Sequence, residues 1–133
     1  MDTRKLQHAI RYHVLSDQTV RDLIGNNVYP SELATVASPE YPCVNFRMEP
    51  GMRLARVNET FLGDVQVWAW SNSNYDEASK VIDAIEDKLG SDRVETNEIY
   101  AVFTTLLTPQ QLYDEEAKIY GYVMRFRIYA IER

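Results

Sequence analysis

One stretch, Gly63-Asp64-Val65-Gln66-Val67-Trp68-Ala69-Trp70-Ser71, limits what this chain can become more than any other. Val65, Val67 and Ala69 alternate with Asp64, Gln66, Trp68 and Trp70, the period of two that marks a strand with two distinct faces. Both faces carry bulk, so the strand belongs in the middle of a sheet. One side is expected under helices and the other against a second layer or another subunit. The period then switches. Ala78, Val81, Ile82, Ile85 and Leu89 fall on one side of a helix, and Asp76, Glu77, Lys80, Asp83, Glu86 and Lys88 on the other. Asn74 is placed to cap this helix, Glu77 to complete a capping box, and Gly90 to release the chain.

Upstream, Asp2 or Thr3 is placed to cap a first helix with Leu6, Ala9, Ile10, His13 and Val14 as its apolar stripe, ending near Ser16. Asp17 restarts a short helix holding Val20, Leu23 and Ile24, and Gly25 stops it. Val28, Tyr29 and Pro30 lead into a polar passage, with Pro39 and Pro42, that reads as irregular loop. A strand begins at Cys43, with Val44, Phe46 and Met48 on one face and Cys43, Asn45 and Arg47 on the other; Pro50 and Gly51 break it. Met52 to Thr60 fits a strand extension or a hairpin tip. Beyond the central pair, Gly90 to Asn97 reads as a polar connection and Ile99 to Leu107 as a strand. Thr108 to Lys118 reads as a long loop between antiparallel strands, and Tyr120 to Ile131 as the last strand. Helices and strands do not alternate strictly. A single α+β domain over residues 1–133 is expected, a largely antiparallel sheet with helices packed on one face.

Charge and chemistry narrow the function. Fourteen basic against twenty acidic residues, a net charge of -6, argue against sequence-independent nucleic-acid binding. The lone Cys43 has no partner for an internal disulfide, and no apolar run approaches a membrane span, so a soluble cytosolic product is expected. His8 and His13 are five residues apart, roughly 140° around a helix, and do not converge on one ion. No metal, cofactor or catalytic constellation is expected. The carboxylates Asp114, Glu115 and Glu116 sit in the expected polar loop, which offers no burial to split their pKa values for acid-base work. The aromatics say more: nine tyrosines and two tryptophans exceed what one small core takes, and both residue types favour interfaces. Trp68, Trp70, Arg125, Arg127 and Tyr129 are therefore candidates for a subunit interface. Arg53, Arg56, Asp114, Glu115 and Glu116 are candidates for a partner loop or the lining of a channel.

Val20-Arg21-Asp22-Leu23-Ile24-Gly25 running into Val28-Tyr29-Pro30, then Tyr41-Pro42-Cys43-Val44, Val65-Gln66-Val67-Trp68, Tyr75-Asp76-Glu77-Ala78, Leu112-Tyr113-Asp114 and Tyr122 to Ile128 together resemble the tail-completion, or tail-terminator, proteins of long-tailed bacteriophages. The resemblance runs through nearly the whole chain in order, leaving Met52 to Thr60 unmatched. It implies an α+β domain that assembles as a ring, commonly a hexamer. It implies a structural role without catalysis: capping the head-proximal end of the tail tube, stopping polymerisation, and joining the tail to head-completion or connector proteins. The implied partners are further copies of itself, the tail tube protein and the connector, in a virion assembled in the host bacterial cytoplasm. DNA would pass through the ring without specific binding, and no membrane is involved. A head-completion or stopper protein of the neck is the nearest competing reading; a small hydrolase and a monomeric adaptor are more distant ones.

Overall fold

The computed structural model describes residues 3–30, 36–50, 60–91 and 93–133. Along the chain run α1 (Thr3–Leu15), α2 (Gln18–Ile24), β1 (Val28–Tyr29), β2 (Cys43–Pro50), β3 (Thr60–Ser71), α3 (Tyr75–Ser91), β4 (Val94–Glu95), β5 (Ile99–Asp114) and β6 (Ile119–Glu132). The strands form one sheet in the order β1-β2-β3-β6-β5-β4. The β1–β2 pair is parallel and every other pair antiparallel, so the sheet is mixed and the class α+β. β3 has β2 on one side and β6 on the other, the central place its two bulky faces demand.

The helices cover one face of this sheet. Val44, Phe46, Val65, Val67, Ala69, Ala101, Phe103, Met124, Phe126, Ile128 and Ala130 point towards them. They meet Leu6, Ala9, Ile10 and Val14 of α1, Val20 and Ile24 of α2, and Val81, Ile82, Ile85 and Leu89 of α3. Each large apolar side chain buried here contributes about 1.5–3 kcal/mol relative to exposure. The helical stripes legible in the sequence are thus the surfaces that seal the core. Within the core Phe103 and Phe126 meet edge to face at 5.9 Å.

Local chemistry explains the helix ends. The Val20 amide donates to Asp17 Oδ1 at 3.1 Å, which starts α2, and Gly25, at φ 61°, closes it by donating its amide to the Arg21 carbonyl. At α3 the Glu77 amide donates to Asn74 Oδ1 at 2.8 Å, as a cap should. The expected reciprocal half of the capping box does not form. Glu77 Oε1 instead accepts the Ser71 hydroxyl at 2.7 Å, and Ser71 Oγ accepts the amides of Ser73 and Asn74, so the strand end and the helix start are tied through one serine. α3 also continues one residue past Gly90.

Two expectations about strands need correction. The polar connection from Gly90 to Asn97 contains a short strand, β4, and Val28–Tyr29, given no element from the sequence, form another, β1; each has two residues, too brief to show alternation. The expected long loop at Thr108 to Lys118 is mostly strand: β5 continues to Asp114, and only Glu115 to Lys118 form the turn. Pairing with β6 provides the reason. Gln111 stands opposite Tyr122, Leu112 opposite Gly121 and Tyr113 opposite Tyr120, whose rings lie 5.2 Å apart. Lys118 takes a positive φ of 56° at the turn, where Asp114 Oδ1 accepts the Ala117 amide. The stretch Met52 to Thr60, with Arg53 and Arg56, lies outside the described residues up to Thr60, where β3 begins.

Candidate functional site

The described helices pack on one side of the sheet, and no described helix lies on the other. Strand alternation places on it Cys43, Asn45, Arg47 and Glu49 from β2, and Leu62, Asp64, Gln66, Trp68 and Trp70 from β3. From β6 come Gly121, Val123, Arg125, Arg127, Tyr129 and Ile131, with Val102 and Leu112 of β5 beside them. No described element covers this face. It has three zones along the strands.

At the end nearest the β5–β6 turn lies a second, small apolar cluster. Cys43, Trp70 and Ile119 are buried in it, with Tyr29, Tyr41, Trp68 and Leu112 against them. Trp70 is only 7% exposed and donates its indole N–H to the buried Asn45 Oδ1 at 2.8 Å. Its ring fits because position 121 is glycine: a Cβ there would sit 2.6 Å from Trp70 Cε3 and Cζ3. Trp68 is half-buried, with the Arg47 guanidinium 5.9 Å from its ring. The cluster withdraws ionisable groups from solvent. Burial pushes the Cys43 thiol up to about 12, which keeps it protonated and unreactive at neutral pH. Burial, then the nearby Cys43, Asp114 and Tyr29, raise the Tyr41 hydroxyl above its ordinary range.

The middle zone is a charged belt across three strands. Arg47 contacts Glu49 at 3.1 Å and Gln66 at 2.9 Å. Arg125 lies 3.6 Å from the same Glu49 oxygen, and Arg127 Nε donates to Asp64 Oδ1 at 3.2 Å. Arg125 Nε is buried without an acceptor. Three guanidiniums against two carboxylates make this belt net positive, in a chain whose total charge is -6. The far zone is apolar again, with Tyr129 opposite both Leu62 and Val102.

Of the interface candidates, Trp68, Trp70, Arg125, Arg127 and Tyr129 all share this face. Trp70 is satisfied within its own chain, whereas Trp68, Arg127 and Tyr129 reach solvent. Of the acidic candidates, Asp114 ends β5 opposite Ile119 and near Tyr41 of the small cluster, and Glu115 and Glu116 are exposed in the turn. Arg53 and Arg56 are outside the described residues. Tyr41, Ile119 and Asp64 were not among the candidate site residues read from the sequence, although the alternation of β3 does put Asp64 on this face. Among the described residues no group of three or more His, Cys, Asp and Glu is arranged to hold a metal ion, and no helix is long and apolar enough to cross a membrane.

The whole fold, sheet and helices together, also occurs in solved structures of other proteins. A chain from the virion of a native gene transfer agent particle superposes with a TM-score of 0.65 at 19% identity, covering 96% of this chain and 95% of that one. Gp17 of bacteriophage SPP1 matches with a TM-score of 0.56 at 16% identity, over 94% of this chain and 88% of its own. No protein-family model matches the chain, and no curated protein matches it in sequence. At these identities the likeness is one of fold, and the exposed face must be read from its own residues.

Proposed function

We propose that this chain is a structural subunit of a phage-type particle, acting where tail meets head. In this reading, copies close into a ring on the head-proximal end of the tail tube, halt its growth, and present a platform to head-side connector proteins. The observation that carries the proposal is the near full-length match of fold to a gene transfer agent virion chain and to a phage protein. The uncovered face supports it. Aromatic residues and arginines at a sheet surface suit a contact with another protein, and a ring requires one face of a subunit to meet a different face of the next. Trp68, Arg125, Arg127 and Tyr129 are the side chains assigned to that contact, with Trp70 holding the surface in shape from beneath. A hexamer is the stoichiometry that the family resemblance implies.

Asp114, Glu115 and Glu116 suit the lining of a passage for DNA, since acidic groups do not retain phosphates and basic ones would. Catalysis has no part in this role, and the protonated Cys43 is a packing residue. Deleting the gene from a strain that makes the particle and measuring tails by electron microscopy tests the reading. Tails of uncontrolled excess length are expected. Tails of normal length beside filled heads that lose their DNA would overturn it and assign the protein to the stopper position instead. Replacing all three acids of the turn by lysine is expected to slow genome delivery, and unaltered delivery would remove them from the channel.

A further inference from the structure

β5 leaves one edge of the sheet open. β4 pairs with it only at Tyr100 and Ala101, so from Val102 to Asp114 no described strand lies on its outer side. In antiparallel pairing every second residue turns its N–H and C=O outward, which makes this side a row of unpaired donors and acceptors. Edges of that kind are ordinarily blunted by charge. Here Ile99 to Tyr113 contains no Asp, Glu, Lys or Arg, in a chain that is 26% charged. Exposed apolar bulk gathers at the same place. Of the six large apolar residues that stand exposed among those described, Val102, Leu106, Leu107 and Tyr113 lie on β5, and Tyr129 is the cross-strand neighbour of Val102. Two breaks in register with β6, between Thr105 and Leu107 and between Leu107 and Gln110, together with Pro109, guard the distal part. Val102 to Thr105 lies ahead of both breaks, and Leu106 and Leu107, at the first of them, add exposed apolar bulk to the same edge.

We propose that Val102 to Leu107 is the acceptor edge for a strand from a second copy of this chain, so that the sheet continues from one subunit into the next. The donor is the outer side of β2. β1 pairs with β2 only at Val44 and Asn45, which leaves Phe46 to Pro50 without a described strand on that side. The two open stretches lie on opposite edges of one sheet, so their union is head-to-tail and repeats around a ring instead of ending at a pair. Charge agrees with this choice of occupant. Phe46 to Pro50 of the donor carries one arginine and one glutamate, 3.1 Å apart, and copies that each carry -6 meet with least repulsion where neither edge has a net charge.

The inference rests on the ring reading above, and its test separates the two. Hydrogen exchange is followed on the full chain in dilute monomeric and concentrated assembled samples, beside the double variant Val102→Lys/Leu106→Lys. The outward-pointing amides between Val102 and Leu107 are expected to exchange at least about tenfold more slowly in the assembled wild type. The double variant is expected to keep the monomer's melting temperature and to remain monomeric by sedimentation. Assembly with unchanged exchange at this edge, or a double variant that assembles like the parent, overturns the edge pairing and leaves the ring standing. A wild type that never self-associates overturns both.

Discussion

Gly121→Ala tests the packing of the uncovered face at a single methyl group. The added Cβ would lie 2.6 Å from two carbons of the Trp70 ring and 3.2 Å from the Ala69 carbonyl oxygen. Neither neighbour yields easily: the carbonyl belongs to the central strand β3, and the indole is 7% exposed and held by its 2.8 Å bond to Asn45. Overpacking of this kind costs about 1–3 kcal/mol. If the ring tilts to escape, the bond to Asn45 is lost, and an unsatisfied buried polar group adds about 1–3 kcal/mol. Alanine restricts the unfolded chain and returns up to about 1 kcal/mol. A net loss of about 2–4 kcal/mol lowers the melting temperature of a domain of this length by roughly 7–14 °C. Thermal unfolding by far-UV circular dichroism measures it, with near-UV dichroism reporting the indole. A variant melting within about 2 °C of the parent would show that the face is loosely packed around Trp70 and refute the reasoning.

Asn45→Ala is expected to destabilise the protein by about 1–3 kcal/mol in urea titration, because the buried Trp70 N–H keeps its position and loses its acceptor. Asp17→Ala, which removes the cap of α2, is expected to lose about 1 kcal/mol in the same titration, with Asp17→Ser close to the parent. Cys43 makes a pH prediction. Its folded thiol ionises near 12 and its ordinary value is 9.0, so the unfolded chain gives up its proton first. The contribution is therefore complete below pH 9 and is lost as pH climbs from 9 towards 12, with a slope of up to about 1.4 kcal/mol per pH unit. The difference in stability between parent and Cys43→Ala, followed by denaturant titration across that window, checks it. A difference that stays flat would refute the assignment.

The elements that were legible in the sequence are those whose periodicity is long enough to be counted and whose burial is one-sided. α3 shows five apolar positions, Ala78, Val81, Ile82, Ile85 and Leu89, all buried, and β6 alternates from Val123 to Ala130. β1 and β4 exist only because a neighbour pairs with them, and two residues carry no period. The far half of β5 was hidden for a different reason. Its residues are mostly polar, include Pro109, and pass through two register breaks, so strand structure there is set by β6 and not by β5 itself. The exposed face was half visible. Alternation put Trp68 with Trp70 on one face of β3 and Arg125 and Arg127 with Tyr129 on one face of β6; the β3–β6 register brings the two sets to the same side of the sheet, and alternation has no means of distinguishing Trp68 at the surface from Trp70 beneath it. That distinction depends on Gly121 and Ile119, which are some fifty residues away in the chain.

The order in which the strands pair has a bearing on biosynthesis. β3 and β6 lie side by side in the middle of the sheet but are separated in the chain by α3, β4 and β5. A nascent polypeptide can close its β2–β3 hairpin early, but the interior seam must wait until β6 has left the ribosome. Until then Val65, Val67 and Ala69 have no neighbour on one side, and a growing pool of half-made subunits would be prone to stick to one another. High-level expression of such a chain should favour slow translation or low temperature, and a nonsense change early in β6 should yield insoluble product instead of a shortened, soluble one.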